Sequence, residues 1–253
     1  MRHPTESDIE AAKAYLRQRL EAERSMAYNL DIIMREAAER IVNICYAANV
    51  NPQNFCYEDL PLRTKAEIDE VIEWLRETID DYFQTLAVAD HEENKDIILP
   101  FILGENHGST FDERLTDYCD KYKDELMLLI GAGLFVGVSK MVLAKSIGEN
   151  LKHPYANQLL AEGIDSPLTY GRGHTNSMFT AISDLTQFGI AQGWMKNQYI
   201  NNRKDGCLGW YVMRGSSYLC EHCDSMVGFH ADESELPPYH GHCRCFAAPI
   251  YLK

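Results

Sequence analysis

The chain has 253 residues, of which 45 % are hydrophobic and 25 % are charged, an ordinary composition for a globular protein of one large domain or two smaller ones. The formal net charge of −14 opposes attraction to nucleic-acid phosphates and argues against free duplex DNA as the main ligand. The longest apolar run, residues 126–139, is shorter than the roughly twenty residues that span a bilayer, so we expect no membrane partner.

The N-terminal part of the chain has the pattern of a helical body. A capping-box pattern, in which a threonine is followed three residues later by an acidic residue, occurs at Thr5, Thr64 and Thr110. Each box precedes apolar residues that recur near the 3.6-residue helical period. The first of these segments, one long helix or two abutting ones, is predicted to end before Pro52, because proline disfavours helical geometry in the residue that precedes it.

The apolar run at residues 126–139 is interpreted as a buried helix that contains Gly131, Gly133 and Gly137. A glycine in a helix interior costs about 1 kcal/mol relative to alanine. The run therefore predicts either close packing against another helix or a turn between two helices.

A change of character follows residue 150. Pro154, Pro167 and several glycines lie in residues 150–173 and indicate the boundary between the body and a C-terminal module. A helix is predicted from about Thr175 to Asn197. Two short segments, Gly209–Arg214 and Phe246–Leu252, are rich in aromatic and apolar residues and are predicted to pair as strands.

The cysteines are distributed unevenly. The first ten residues are polar and acidic and do not resemble a secretory signal, which favours a reducing cytoplasm where thiols remain free to bind metals. Most of the eight cysteines lie near the C-terminus, together with four histidines: Cys207, Cys220, Cys223, Cys243, Cys245, His222, His230, His240 and His242.

The spacing within this segment predicts a metal site. A CxxC pair, Cys220 and Cys223, is followed after sixteen residues by the sequence HGHCRC, which begins at His240. Such a turn brings two thiolates together, and a hairpin can return a second pair to complete the tetrahedron that Zn²⁺ prefers. The predicted ligands are Cys220, Cys223, His240 and Cys243, with Cys245 in place of His240 as the main alternative. Four protein ligands leave no position for water, so a structural role is predicted.

Two other interpretations of this segment stay open. His242 lies within the same six residues and is a further candidate for the last ligand. The thiols can also be core cysteines or a redox pair, with the histidines on the surface.

The predicted fold is α+β and mainly α. A helical N-terminal body, residues 1–165, precedes a C-terminal module, residues 166–253. The module consists of one helix and a short antiparallel sheet stapled by a zinc knuckle.

The C-terminal stretch of about eighty residues resembles the phage Mu F-like minor head protein family, also called the phage head morphogenesis domain. The matching elements are a helix at residues 176–199, a strand with Trp210 that leads to the CxxC pair, and a PPxHxxCRC ending from Pro237 to Cys245. A short apolar strand with Pro249 follows. Residues 214–217 are Arg-Gly-Ser-Ser, where members of this family usually carry an aspartate followed by arginine and threonine.

This resemblance implies a non-enzymatic minor capsid component, present in few copies, that associates with the portal and other head proteins. Its expected location is the virion head, after assembly in the bacterial host cytoplasm. Weak contact with packaged DNA is a further expectation of the resemblance.

Two other functions are alternatives to this one. The first alternative is a toxin-type effector, because Mu F-like modules also occur joined to toxin domains. Only eight residues follow Cys245, so no appended effector is expected. The sequence has neither an HExxH helix nor a GxxxxGK[ST] loop. A zinc knuckle that binds nucleic acid is the other. Residues 203–253 hold five basic and six acidic residues, so a strong positive field is not expected.

Overall fold

The computed structural model describes residues 3–48, 50–51, 53, 55–106, 108–152, 178–203 and 206–252. The helices in these ranges are α1 (Glu6–Ala47), α2 (Leu62–Ala87), α3 (Lys95–Leu103), α4 (Phe111–Val136), α5 (Lys140–Lys152), α6 (Met178–Asn202) and α7 (Glu221–Ser225). The strands are β1 (Cys207–Met213), β2 (Gly228–His230) and β3 (Phe246–Tyr251), which form one antiparallel sheet. The mainly helical α+β fold is therefore confirmed. None of the helices within the described ranges combines the length and hydrophobicity needed to cross a membrane.

The chain forms two compact units, and each takes segments from distant parts of the sequence. The first comprises Met1–Ala27, Tyr82–Phe111 and Asp184–Lys253, and the second comprises Tyr28–Asp81 and Asp112–Ser183. The boundary predicted between residues 165 and 166 lies outside the described residues, as does the predicted start of the last long helix at Thr175. The division at residue 165 therefore stays a prediction.

The capping box at Thr5 is confirmed by its hydrogen bonds. The Thr5 amide donates to Asp8 Oδ2 at 3.1 Å, and the Asp8 amide donates to Thr5 Oγ1 at 3.2 Å. The helix that begins there is a single one of 42 residues.

The box predicted at Thr64 is wrong by two residues. Helix α2 begins at Leu62, and the Lys65 amide donates to the carbonyl of Pro61 at 3.0 Å. Thr64 is buried inside the first turn. Pro61 is therefore the residue before the first helical one, where its missing N–H has no intrahelical partner to lose.

In the second unit, the glycines of the apolar run serve both predicted purposes. A Cβ at Gly131 would lie 2.9 Å from the ring of Phe55, and a Cβ at Gly133 would overlap Leu143 of α5. Gly137 has a positive φ of 76° and follows the end of α4. Close packing at Gly133 and a turn at Gly137 therefore join α4 to α5, and Gly131 packs instead against Phe55, which lies outside the helices.

In the first unit, the sheet positions the C-terminal module. Strand β1 is central and pairs with β3 in the register Met213↔Phe246 and with β2 in the register Trp210↔His230. The predicted pairing of the two segments is thus confirmed. The buried Trp210 ring stacks on Tyr199 of α6 at 5.8 Å between centroids. Cys220, Cys223, Cys243 and Cys245 pack against Trp210 and Val212 of this sheet.

Candidate metal centre

The CxxC pair forms a knuckle at the start of α7. Cys220 is the N-cap residue with extended backbone, φ −150° and ψ 103°, and its sulfur accepts a hydrogen bond from the Cys223 amide at 3.5 Å. An N-terminal amide directed at sulfur favours the thiolate form of Cys220, which is the form that binds metals. The knuckle therefore has the local structure expected of a CxxC metal loop.

Arg214, at the end of β1, holds this knuckle against the sheet. Its guanidinium donates to the carbonyl of Cys220 at 3.4 Å, to the carbonyl of Tyr218 and to the carboxylate of Asp224. The sequence alone did not assign this arginine to the metal centre, whereas its donors are directed at the knuckle.

The second group of ligands comes from the loop that leads into β3. The Cys243 amide donates to the carbonyl of His240 at 3.2 Å, which closes a tight turn. The extended chain then alternates, so that Arg244 is exposed while Cys243 and Cys245 are buried, with exposures of 2 % and 1 %. Both of these thiols therefore lie on the inner side of the loop.

The two loops bring five side chains together. The Nε2 atom of His240 lies 3.5 Å from Cys220 Sγ and 3.1 Å from Cys223 Sγ, and the sulfurs of Cys223 and Cys243 are 3.9 Å apart. The ligand atoms form two groups, each within 4.8 Å of one another, which share Cys223: Cys220, Cys223 and His240 in one, and Cys223, Cys243 and Cys245 in the other.

Three of these distances fit edges of a tetrahedral site, whereas Cys243 lies outside the group formed by Cys220, Cys223 and His240. With metal–sulfur bonds of about 2.3 Å and metal–nitrogen bonds of about 2.1 Å, the edges of the tetrahedron are about 3.8 Å between sulfurs and about 3.6 Å between sulfur and nitrogen. The three measured separations lie within about half an ångström of these edges. The five residues could therefore hold a metal ion.

A backbone carbonyl sets the orientation of His240. Its Nδ1 atom lies 2.6 Å from the carbonyl oxygen of Gly241, which can only accept a hydrogen bond. Nδ1 therefore carries the proton, and in the neutral ring the lone pair is on Nε2, which is directed at the sulfurs. Such a hydrogen bond is the usual means of fixing a histidine ligand.

The other nearby histidines and Cys207 have different partners. His242 Nε2 lies 2.8 Å from Asp184 Oδ1, so the open alternative that this histidine is the last ligand is not favoured. His230 contacts the Met226 carbonyl at 2.8 Å, His222 packs edge-on against Tyr239, and the Cys207 thiol is directed at the Gly209 carbonyl.

The protein environment already separates the pKa values of the thiols. The amide of Cys223 lowers the pKa of Cys220, and a hydrogen bond from the Cys245 thiol lowers the pKa of Cys243 to about 5. Burial raises the pKa of Cys223 to about 12, and the hydrogen bond to Cys243 raises the pKa of Cys245. Negative charge is thus stabilised in both loops, which suits a cation bound between them.

An ion pair from α1 supports the second loop and was missed by sequence analysis. Arg19 donates from Nη2 to the carbonyl of Cys243 at 2.5 Å, and its Nε lies 3.0 Å from Glu23 Oε1 in a geometry not aligned for a hydrogen bond. Both residues are 5 % exposed. The signal in the sequence was an Arg–Glu pair four residues apart on the face of α1 that also carries Leu16 and Leu20.

Comparison of the chain with protein-family models, curated proteins and solved structures gives no match.

Proposed function

We propose that this chain is a phage minor head protein that acts in head morphogenesis, in association with the portal and other head proteins. The observation that carries the proposal is the pair of loops in which a CxxC knuckle and a PPxHxxCRC ending bring their thiols and imidazole into two ligand groups that share Cys223. In this proposal the chain resides in the virion head after assembly in the bacterial host cytoplasm.

The proposed cofactor is one structural Zn²⁺ per chain, held by Cys220, Cys223, His240 and Cys243. Soft thiolates together with imidazole favour zinc over the hard cations, which prefer oxygen ligands. A filled tetrahedron leaves no position for a reacting water, which supports an assembly role rather than an enzymatic one.

The exposed part of the knuckle is the surface proposed to contact the head. Tyr218 and Leu219 immediately precede Cys220 and are 78 % and 89 % exposed. The metal would fix the loop that presents them, and a rigid apolar pair is a suitable anchor for a protein interface.

The function is tested on heads purified by density gradient from the phage that encodes this chain. We expect the wild-type chain in the head fraction at few copies per particle and expect Tyr218→Ser/Leu219→Ser to be reduced there. An exchange at another exposed apolar residue, Leu62→Ser, is the matched control. Recovery of the wild-type chain only outside the particles would contradict a head protein.

Zinc is tested by metal analysis of the purified full chain. We expect one zinc per chain in the wild type and in Cys207→Ser, whose thiol lies outside the cluster, and none in Cys223→Ser, which removes the ligand shared by both groups. Equal metal content in the wild type and Cys223→Ser would contradict the site.

A further inference from the structure

The metal centre contains more ligands than one tetrahedral ion uses. Five side chains supply ligand atoms, whereas a structural zinc site takes four. The extra ligand results from the backbone geometry. In an extended chain, residues two apart point to the same side, so both Cys243 and Cys245 face inward.

The five ligand atoms define two faces that meet at Cys223. Cys220, Cys223 and His240 form the outer face, and Cys223, Cys243 and Cys245 form the inner one. A tetrahedral ion on either face takes its fourth ligand from the other face, which must approach, because Cys223 alone belongs to both groups. An outer arrangement takes Cys243 as its fourth ligand, and an inner arrangement takes Cys220 or His240.

The two faces differ in their exposure to solvent. A cleft of about 540 Å³ is lined by Cys220, Cys223, His240 and Cys245, and within it Cys220 is half-buried and His240 is exposed. Cys223, Cys243 and Cys245 are buried among Trp210 and Val212 of β1. The ligands that solvent or a reagent reaches first are therefore those of the outer face.

We propose that Cys245 is a reserve ligand: the ion binds Cys220, Cys223, His240 and Cys243, and Cys245 completes the site when an outer ligand is withdrawn. This proposal rests on the metal centre of the proposed function and adds a means by which the ion is retained. The Cys245 thiol is already within 4.8 Å of both Cys223 and Cys243, two of the ligands that it would join, and Cys220 would approach this group through the shared Cys223. Loss of the imidazole then converts a site of three thiolates and one nitrogen into a site of four thiolates.

The experiment uses the full chain loaded with Co²⁺, whose visible absorption reports the ligand set of a tetrahedral site. Bands at longer wavelength accompany each replacement of imidazole by thiolate. The variants are His240→Ala, Cys245→Ala and the double variant, with Cys207→Ala as a control for thiol number and Cys223→Ala as a control for loss of the site. Circular dichroism of each variant verifies that the helices are retained.

We expect Cys245→Ala to keep the wild-type spectrum and His240→Ala to bind one Co²⁺ with bands at longer wavelength. The affinity of His240→Ala should fall by less than about tenfold, and that of the double variant by more than the roughly 100-fold upper range for removal of a group that only supports a ligand. Loss of the ion from His240→Ala alone, or a changed spectrum in Cys245→Ala, would overturn the reserve role. Failure of the wild type itself to bind Co²⁺ would instead contradict the metal centre on which it rests.

Discussion

Glu125, on α4, is a carboxyl group whose burial makes the second unit sensitive to pH. Burial raises its pKa to about 7, opposed by a hydrogen bond from the Met178 amide to Oε2 at 3.4 Å. A folded-state pKa above the unfolded value of 4.5 means that the folded protein prefers the protonated form. The resulting penalty is absent below about pH 4.5, grows as pH rises to about 7 and is then constant at about 3 kcal/mol.

We therefore expect Glu125→Gln to raise the free energy of unfolding by about 2 to 3 kcal/mol at pH 8 and by less than about 1 kcal/mol at pH 5. The glutamine keeps an oxygen that can accept from Met178 but carries no charge. Urea unfolding at the two pH values measures the difference, with Asp124→Asn, an exposed position on the same helix, as the control. A gain of equal size at both pH values would show that ionisation is not the cause.

Residue-scale geometry also explains why the ligand set was only partly predictable. The spacing of Cys220 and Cys223 predicts a knuckle on its own, because the amide-to-sulfur contact follows from a cysteine at the helix N-cap. The choice between His240 and His242 depends on the backbone of His242, which has a φ of 58° and directs its ring at Asp184. No periodicity in the sequence encodes that conformation, and which of the candidate ligands is in surplus depends on how the loop folds.

At the scale of elements, the turn between α4 and α5 depends on Gly137. Its φ of 76° is in the left-handed region, where any Cβ is strained, although no atom would contact a Cβ placed there. We expect Gly137→Ala to destabilise the chain by about 1 to 2 kcal/mol. Gly137→Asn should lose less, because asparagine tolerates this conformation better. Thermal or urea unfolding compares the two variants, and equal losses would argue against a backbone cause.

The helices and strands differ in how well their own residues predict them. Helix α1 has a capping box and a long apolar stripe, and both are realised. Helix α3 was not predicted, and Pro100, a residue that disfavours helix interiors, lies inside it. Strand β2 has three residues and exists through its pairing with β1, so it has no pattern of its own long enough to detect. Elements held by tertiary contacts are the ones that sequence analysis misses.

At the scale of the whole molecule, the buried pair of Arg19 and Glu23 ties α1 to a loop 224 residues away. Burial raises the pKa of Glu23, and Arg19 is the nearby charge that opposes this most. Breaking a buried pair by removing one partner costs about 3 to 5 kcal/mol. We expect Arg19→Met to destabilise the chain by this amount and Arg19→Met/Glu23→Leu to recover most of the loss. Urea unfolding at neutral pH measures both variants. A double variant no more stable than the single one would indicate that the contact with the Cys243 carbonyl, rather than the charge, is what matters.

The apolar stripe at the start of α1 is covered by residues of β3, which are synthesised much later. Ala12 and Leu16 are buried against Phe246 and Ala248. At roughly 5 to 20 residues per second, a ribosome needs on the order of tens of seconds to travel between them. During that interval the nascent chain exposes the apolar face of α1, which is the kind of surface that chaperones bind early in translation.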